Sequence, residues 1–131
     1  MSIARTSSAN SEHVKPLGGA IVRRYTLGAT VLPGEIVSMQ SDGFVDPANT
    51  SSADAICVGI AIKGGVATQR ADIVVHGPIV CVTGATPGSI IFASDTAGEP
   101  SESAGTKNGL VGWAESTTVV FVSPQVNETT I

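Results

Sequence analysis

Aromatic side chains are scarce in this sequence: one Trp, one Tyr and three Phe make up 4% of 131 residues. So small a supply leaves few flat platforms for stacking on sugars or bases. Charge is scarce as well, at 14%, which argues against a heavily solvated helical bundle. Seven Lys and Arg against eleven Asp and Glu leave a net charge of −4. No cationic cluster exceeds the pair Arg23-Arg24, so the footprint expected of a nucleic-acid binder is missing. No apolar run approaches the roughly 20 residues of a membrane-spanning helix. Residues 1–16 are polar and lack the apolar stretch of a signal peptide, so neither a leader nor a membrane partner is expected. The two cysteines, Cys57 and Cys81, each sit in a Val/Ile-rich run. They are expected as buried thiols of a soluble protein made in a reducing cytoplasm, with one disulfide left open by sequence alone.

What the chain does have is glycine (15), proline (7) and an excess of Val and Ile. That mixture favours short strands joined by tight turns. Residues 1–15, "MSIARTSSANSEHVK", show neither helical nor strand periodicity, and an N-terminal arm over residues 1–20 is expected to be flexible. From Ile21 onward the text is strands and punctuation. "IVRRYTL" reads as a first strand. "LPGE" places Pro33 and Gly34 at the centre of a type II turn, where Gly takes the positive φ. "EIVSMQ" is a strand and the Asp-Gly of "SDGF" a hairpin signal. "VDPANTSSAD" reads as a loop, with Pro47 stopping further pairing. In "AICVGIAI" strict alternation puts Ile56, Val58, Ile60 and Ile62 on one face and Cys57, Gly59 and Ala61 on the other. "KGGVATQ" is a tight connection, and "ADIVVHG" and "PIVCVTG" read as two strands divided at Gly77-Pro78.

The second half repeats this order. "GAT" recurs at Gly84, "PG" at Pro87-Gly88, "SIIFAS" stands for "EIVSMQ", "VGWA" for "VGIA", and "TTVVFVSP" for "ADIVVHGP". Two related units, about residues 28–78 and 84–124, must pack together, because neither is large enough to bury its apolar face alone. The expected fold is all-β, a small β-barrel or compact sandwich built from two related halves over residues 21–124. An extended N-terminal arm precedes it and a tail, residues 125–131, follows. Trp113 stands where the first unit has Ile60, and is expected either in the core or at a contact between copies.

No constellation for catalysis or cofactor binding emerges. His13 and His76 are isolated, and neither cysteine has the partner spacing of a metal site. Asp42, Asp46 and Asp54 do not follow a calcium loop, since the spacing and the closing Glu are absent. Asp95, Glu99 and Glu102 read as an exposed, solvated loop. "GIAIKGG" lacks the Lys-Ser/Thr ending of a phosphate loop. No enzyme, metal or cofactor is therefore expected. A small β-barrel carrier or enzyme, with Lys63 as the modified residue, is the least favoured class.

The duplicated "PGEIVSMQSDG" and "PGSIIFASD", the paired "VGIA" and "VGWA", and "ADIVVHGPIVCV" between them resemble one known family. It comprises the small decoration, or cement, proteins of tailed-bacteriophage heads, and the resemblance spans Leu27 to Pro124. Two departures stand out: Glu35 after the first turn glycine is Ser89 in the second copy, and the second hairpin is much longer. The resemblance implies a β-barrel-like protein made in the host cytoplasm that joins the virion. It would bind the outer surface of the expanded head through the major capsid protein, as a homotrimer, and hold the shell against packaged DNA. It also implies that the N-terminal arm crosses the shell, with Ile3 and Val14 as apolar anchors and Arg5, Lys15, Arg23 and Arg24 facing acidic groups. The alternative is a virion-displayed carbohydrate- or cell-surface-binding β module, against which the shortage of aromatics stands.

Overall fold

The computed structural model describes residues 4–5, 14–50, 57–106 and 109–124. Among them every helix or strand assigned is a strand: β1 (Ala4–Arg5), β2 (Lys15–Pro16), β3 (Ile21–Thr26), β4 (Ile36–Met39), β5 (Val45–Pro47), β6 (Cys57–Ala61), β7 (Arg70–Val80), β8 (Val82–Thr83), β9 (Ile90–Ala93), β10 (Pro100–Ser101), β11 (Leu110–Ala114) and β12 (Val119–Val122). The architecture is all-β, a curled antiparallel half-barrel. Its order is β10-β9-β11-β12-β7-β6-β4-β5, with β2 and β3 also paired to β7. Under the repeat, β4, β5, β6 and β7 correspond to β9, β10, β11 and β12. The order therefore reads the same from either end, the two units meeting at the β7–β12 pair.

The predicted turns set this up locally. Gly34 and Gly88, after the two Pro residues, have φ of 83° and 86°. Their N–H groups donate to Ala61 O and Ala114 O, both at 2.8 Å. The Asp-Gly hairpin forms too: Gly43 has φ of 86°, and Gln40 N–H donates to Phe44 O at 2.8 Å. Pairing continues past Pro47, where a loop was expected. Val45–Pro47 is a strand and Ala48 N–H donates to Ile36 O at 2.8 Å. The reason is alternation. Phe44 and Ala48 turn their main-chain groups toward β4, so the proline nitrogen points away, where no ladder bond is needed.

Two further expectations need correction. The two strands divided at Gly77-Pro78 are one strand of 11 residues. The alternation of "AICVGIAI" also breaks. Val37 pairs with Gly59 and Ser38 with Cys57, leaving Val58 as the extra residue of a β-bulge. A bulge shifts the phase by one residue. Cys57 thus joins Ile60 in the main core, while Val58 packs with Ala61 in a second cluster. The second unit bulges at the matching place, between Leu110 and Gly112. Ile56 lies outside the described residues.

The main core joins Ile36, Ile60 and Val74 of the first unit to Ile91, Val111, Ala114 and Val120 of the second. The smaller core lies under the segment before β4, where Leu27 (0% exposed) and Val31 (1%) cover Val37, Val45, Ala61 and Ile73. Burying each of these two covering side chains contributes on the order of 1.5–3 kcal/mol. The two ends of the curled sheet are stitched by main-chain bonds. Ile36 N–H donates to Gly98 O (3.0 Å), Gly98 N–H to Ala48 O (2.8 Å), and Thr50 N–H to Ser94 O (3.0 Å).

Strand β7 has different neighbours along its length. Its first part, to His76, lies between β3 and β6, while its last residues lie between β12 and β2. Between β2 and β3 the chain makes a turn, in which Ala20 N–H donates to Leu17 O at 3.1 Å, and this turn packs closely on β7 at Gly77. A Cβ there would sit 2.6 Å from Ala20 Cα, and φ is +115°. Of the expected arm, residues 14–20 form this strap. Val14 is 4% exposed within the main core, and Leu17 N–H donates to Pro78 O at 3.0 Å.

The acidic loop residues carry specific loads. In the first turn Glu35 Oε1 accepts the Leu32 N–H at 2.9 Å. Ser89 replaces Glu35 in the second turn, and Glu102 arrives from the long hairpin instead. Its Oε2 accepts Thr86 N–H at 2.6 Å and Ser89 Oγ–H at 2.9 Å. Asp95 accepts from Thr50 Oγ1 (2.6 Å), Thr106 N–H (2.9 Å) and Thr106 Oγ1 (2.7 Å), tying the two units together. The Thr50 bond, then those of Thr106, hold Asp95 below its ordinary value of 3.8. The Thr86 N–H, aided by Ser89, holds Glu102 below 4.5.

Gly77→Ala is expected to destabilise the fold by about 2 kcal/mol or more, read as a lower denaturation midpoint in urea. An unchanged midpoint would mean the contact of Ala20 with Gly77 is not tight. Carboxylates with lowered folded values stabilise fully above their ordinary values, and that contribution is lost as pH falls through the folded ones. The double variant Asp95→Asn/Glu102→Gln should therefore melt below wild type at pH 7. Its melting temperature should also fall less steeply on acidification, the two curves converging once the pH has fallen through the lowered folded values.

Candidate interaction surfaces

Of the residues expected to face a partner, Ile3 lies outside the described residues. Arg5 lies in β1, at the position opposite Val82. Val14 is buried in this chain's own core, so its side chain holds the strap down. Lys15 is exposed opposite Val80, whereas Arg24 lies opposite Asp72, eight residues away along β7 (80 minus 72). At about 3.3 Å per residue the two are roughly 26 Å apart. Arg23 and Arg24, adjacent in the text, project to opposite faces of β3. Arg23 lies 5.8 Å from the Tyr25 ring centroid, and Arg24 turns to Asp72.

That second direction opens a charged cleft of about 330 Å³, lined by Arg24, Ile62, Lys63, Gly64, Arg70, Ala71 and Asp72. Arg24 Nε donates to Asp72 Oδ1 at 3.1 Å, and Arg70 Nη2 donates to the Arg24 carbonyl at 3.1 Å. Both partners of the Arg24–Asp72 pair are well exposed, at 61% and 47%, so water screens it and it adds little to stability. Its effect is positional: it fixes one guanidinium at the rim while Lys63 and Arg70 carry charge that Asp72 does not balance. Three cations and one anion make the cleft locally positive in a chain of net charge −4. Sequence reading singled out Arg24 alone for this role. Arg70 and Asp72 join it only through the β3–β7 register, and Lys63 through the turn after β6.

A second surface is apolar. Ile90 pairs directly with Trp113, Trp113 with Phe121, and Phe121 with Pro78. This makes one row across β9, β11, β12 and β7. Trp113 stacks on Phe121 with centroids 4.4 Å apart and planes 13° from parallel, and His76 meets Phe121 edge-on at 5.2 Å. Beside the indole lies a hollow of about 260 Å³, lined by Ile90, Leu110, Gly112, Trp113 and Ser123. Trp113 is 42% exposed and Ile90 50%. Of the two places expected for Trp113, the core is thus not the one it takes.

Among the described residues no group of three or more His, Cys, Asp or Glu is placed to hold a metal ion. Cys57 and Cys81 are buried and form no disulfide. Burial pushes each thiol up to about 12, so neither is a thiolate near neutral pH. A thiol reagent is expected to label neither cysteine in the native protein and both after denaturation. Fast labelling of the native protein would contradict this burial. In comparison with known proteins, no family model matches the chain, and no curated protein sequence matches it.

Proposed function

We propose that the protein is a non-catalytic decoration protein of a phage head, binding the outer surface of the expanded shell through its major capsid protein. The observation that carries this reading is the cleft of Arg24, Lys63 and Arg70 on a chain of net charge −4. Charge segregated this way steers and orients docking on an acidic surface. The duplicated β phrases supply the family resemblance. Short turns and a core that spans both units give the rigid body such a role requires. On this reading the virion exterior is where the protein acts, after synthesis in the host cytoplasm.

The carbohydrate-binding alternative draws on the exposed Trp113. A sugar site also needs several polar groups aimed at hydroxyls. Among the described residues lining the hollow beside Trp113, Ser123 is the one polar side chain apart from the indole N–H, so this reading is the weaker.

Purified protein mixed with bare, expanded heads is expected to bind saturably and to raise their disruption temperature. The variant Arg24→Glu/Arg70→Glu should bind about tenfold more weakly or worse, and wild-type binding should weaken with salt. No saturable binding would defeat the proposal, whereas undiminished binding by the variant would move the contact off the cleft. A truncation to separate the arm's contribution must stop before the buried Val14, removing residues 1–13 only.

A further inference from the structure

The two hairpins matched by the repeat differ in length, and the charged cleft is built on the longer one. In the first unit Ala61 pairs with Ile73, twelve residues on (73 minus 61). In the second, Ala114 pairs with Val120, six residues on (120 minus 114). Every residue lining the cleft except Arg24 lies between Ala61 and Ile73. Between Ala114 and Val120 the second unit has "ESTTV", which contains no cation.

The longer hairpin is strained and firmly held. Thr68 has φ of 77°, the one positive value outside glycine among the described residues, and a β-branched residue is a steric outlier there. Main-chain bonds keep it in place. Thr68 N–H donates to Leu27 O and Leu27 N–H to Gln69 O, both at 2.8 Å, and Val31 and Gly65 exchange two bonds of 2.9 Å. Strain of this kind persists only where the surroundings over-determine it, and it collects at ligand-binding sites. A frame fixed in advance also lowers the cost of binding.

Three of the chain's seven Lys and Arg converge on this one cleft, against a single carboxylate, Asp72. Asp72 takes the Arg24 Nε–H, and Arg70 gives its Nη2 to the Arg24 carbonyl. That leaves further guanidinium donors and the Lys63 ammonium around a hollow of about 330 Å³, at the low end for small-ligand sites. Two positive charges in excess (3 minus 1) call for an anion of matching charge. One carboxylate supplies half of that, from two oxygens in one plane. A phosphate group carries about −1.5 to −2 at neutral pH, on three acceptor oxygens. Arginine forks bind it in bidentate fashion, and lysine binds it as a point charge.

We infer that the cleft of Arg24, Lys63 and Arg70 is a binding site for a phosphate group, free or carried as a monoester. This goes beyond docking on a shell and is tested without heads. The full chain would be titrated calorimetrically with inorganic phosphate and, separately, with glucose 6-phosphate. Ionic strength would be held constant, at a pH above the second phosphate pKa of about 6. Saturable one-to-one binding is expected. A preference for inorganic phosphate identifies the free ion as the ligand and a preference for the ester identifies the monoester, and either supports the inference.

Lys63→Gln/Arg70→Gln should raise the dissociation constant about tenfold or more. Lys15→Gln/Arg23→Gln removes as much charge from positions that do not line the cleft, and should leave the constant unchanged. If the first variant fails to fold by circular dichroism, Lys63→Gln alone, at an exposed turn position, replaces it. Heat no greater than that from chloride at equal ionic strength overturns the inference. So does binding that survives the cleft variants, or that the control pair weakens equally.

Discussion

Strand β7 has to satisfy its main chain on both sides with four different neighbours, and the rest of the structure follows from how it does so. A strand in the middle of a sheet cannot leave N–H and C=O groups unpaired without penalty. Here no single partner runs its full length: β6 and β3 flank the first part, β12 and β2 the last. The turn that joins β2 to β3 packs on the strand at 77, where a Cβ would sit 2.6 Å from Ala20 Cα and φ is positive, so a glycine stands there. The pairing of β2 with β7 holds Val14 in the core, and the β7–β12 pairing joins the two units.

The loops show how a repeat keeps a function after losing the residue that performed it. The turn before β4 needs an acceptor for the Leu32 N–H, and Glu35 is three residues away. The turn before β9 has the same need at Thr86 but only a serine at the matching place. Glu102 comes from the long hairpin to fill it, and binds the serine as well. The length of that hairpin, "SDTAGEPSESAGTKNG", is therefore structural. It carries Asp95 to Thr50 and Glu102 to Thr86, closing the second unit over the first.

Much of the fold was legible because local chemistry decides it. The Pro-Gly and Asp-Gly turns form as read, since positive φ at a glycine is a property of few residues. The all-β class follows from Val, Ile and punctuation. What was not legible depends on register. The bulge at Val58 leaves no mark in "AICVGIAI", because alternating apolar residues fit either face equally well. Gly77-Pro78 reads as a break, yet the strand tolerates both where its neighbours change. The cleft was legible only in Arg24: Lys63, Arg70 and Asp72 are distant in sequence from β3 and meet it through pairing. The fate of Trp113 was invisible for a further reason. "VGIA" and "VGWA" specify the same local geometry, and which row is covered depends on what packs across it in three dimensions.

Position along β7 separates the two surfaces. The cleft sits at Arg70–Asp72 and the aromatic row reaches β7 at Pro78, six residues on from Asp72 (78 minus 72) and roughly 20 Å away at about 3.3 Å per residue. Both can be occupied at once. The first unit's row, Ile36 paired with Ile60 and Ile60 with Val74, is buried by packing against the second unit. Among the described residues, the matching row of the second unit is half-exposed at Ile90 and Trp113. The duplication is therefore symmetric in its strand pairing and asymmetric in what each unit buries, and that asymmetry, rather than either half, gives the two surfaces their different chemistry.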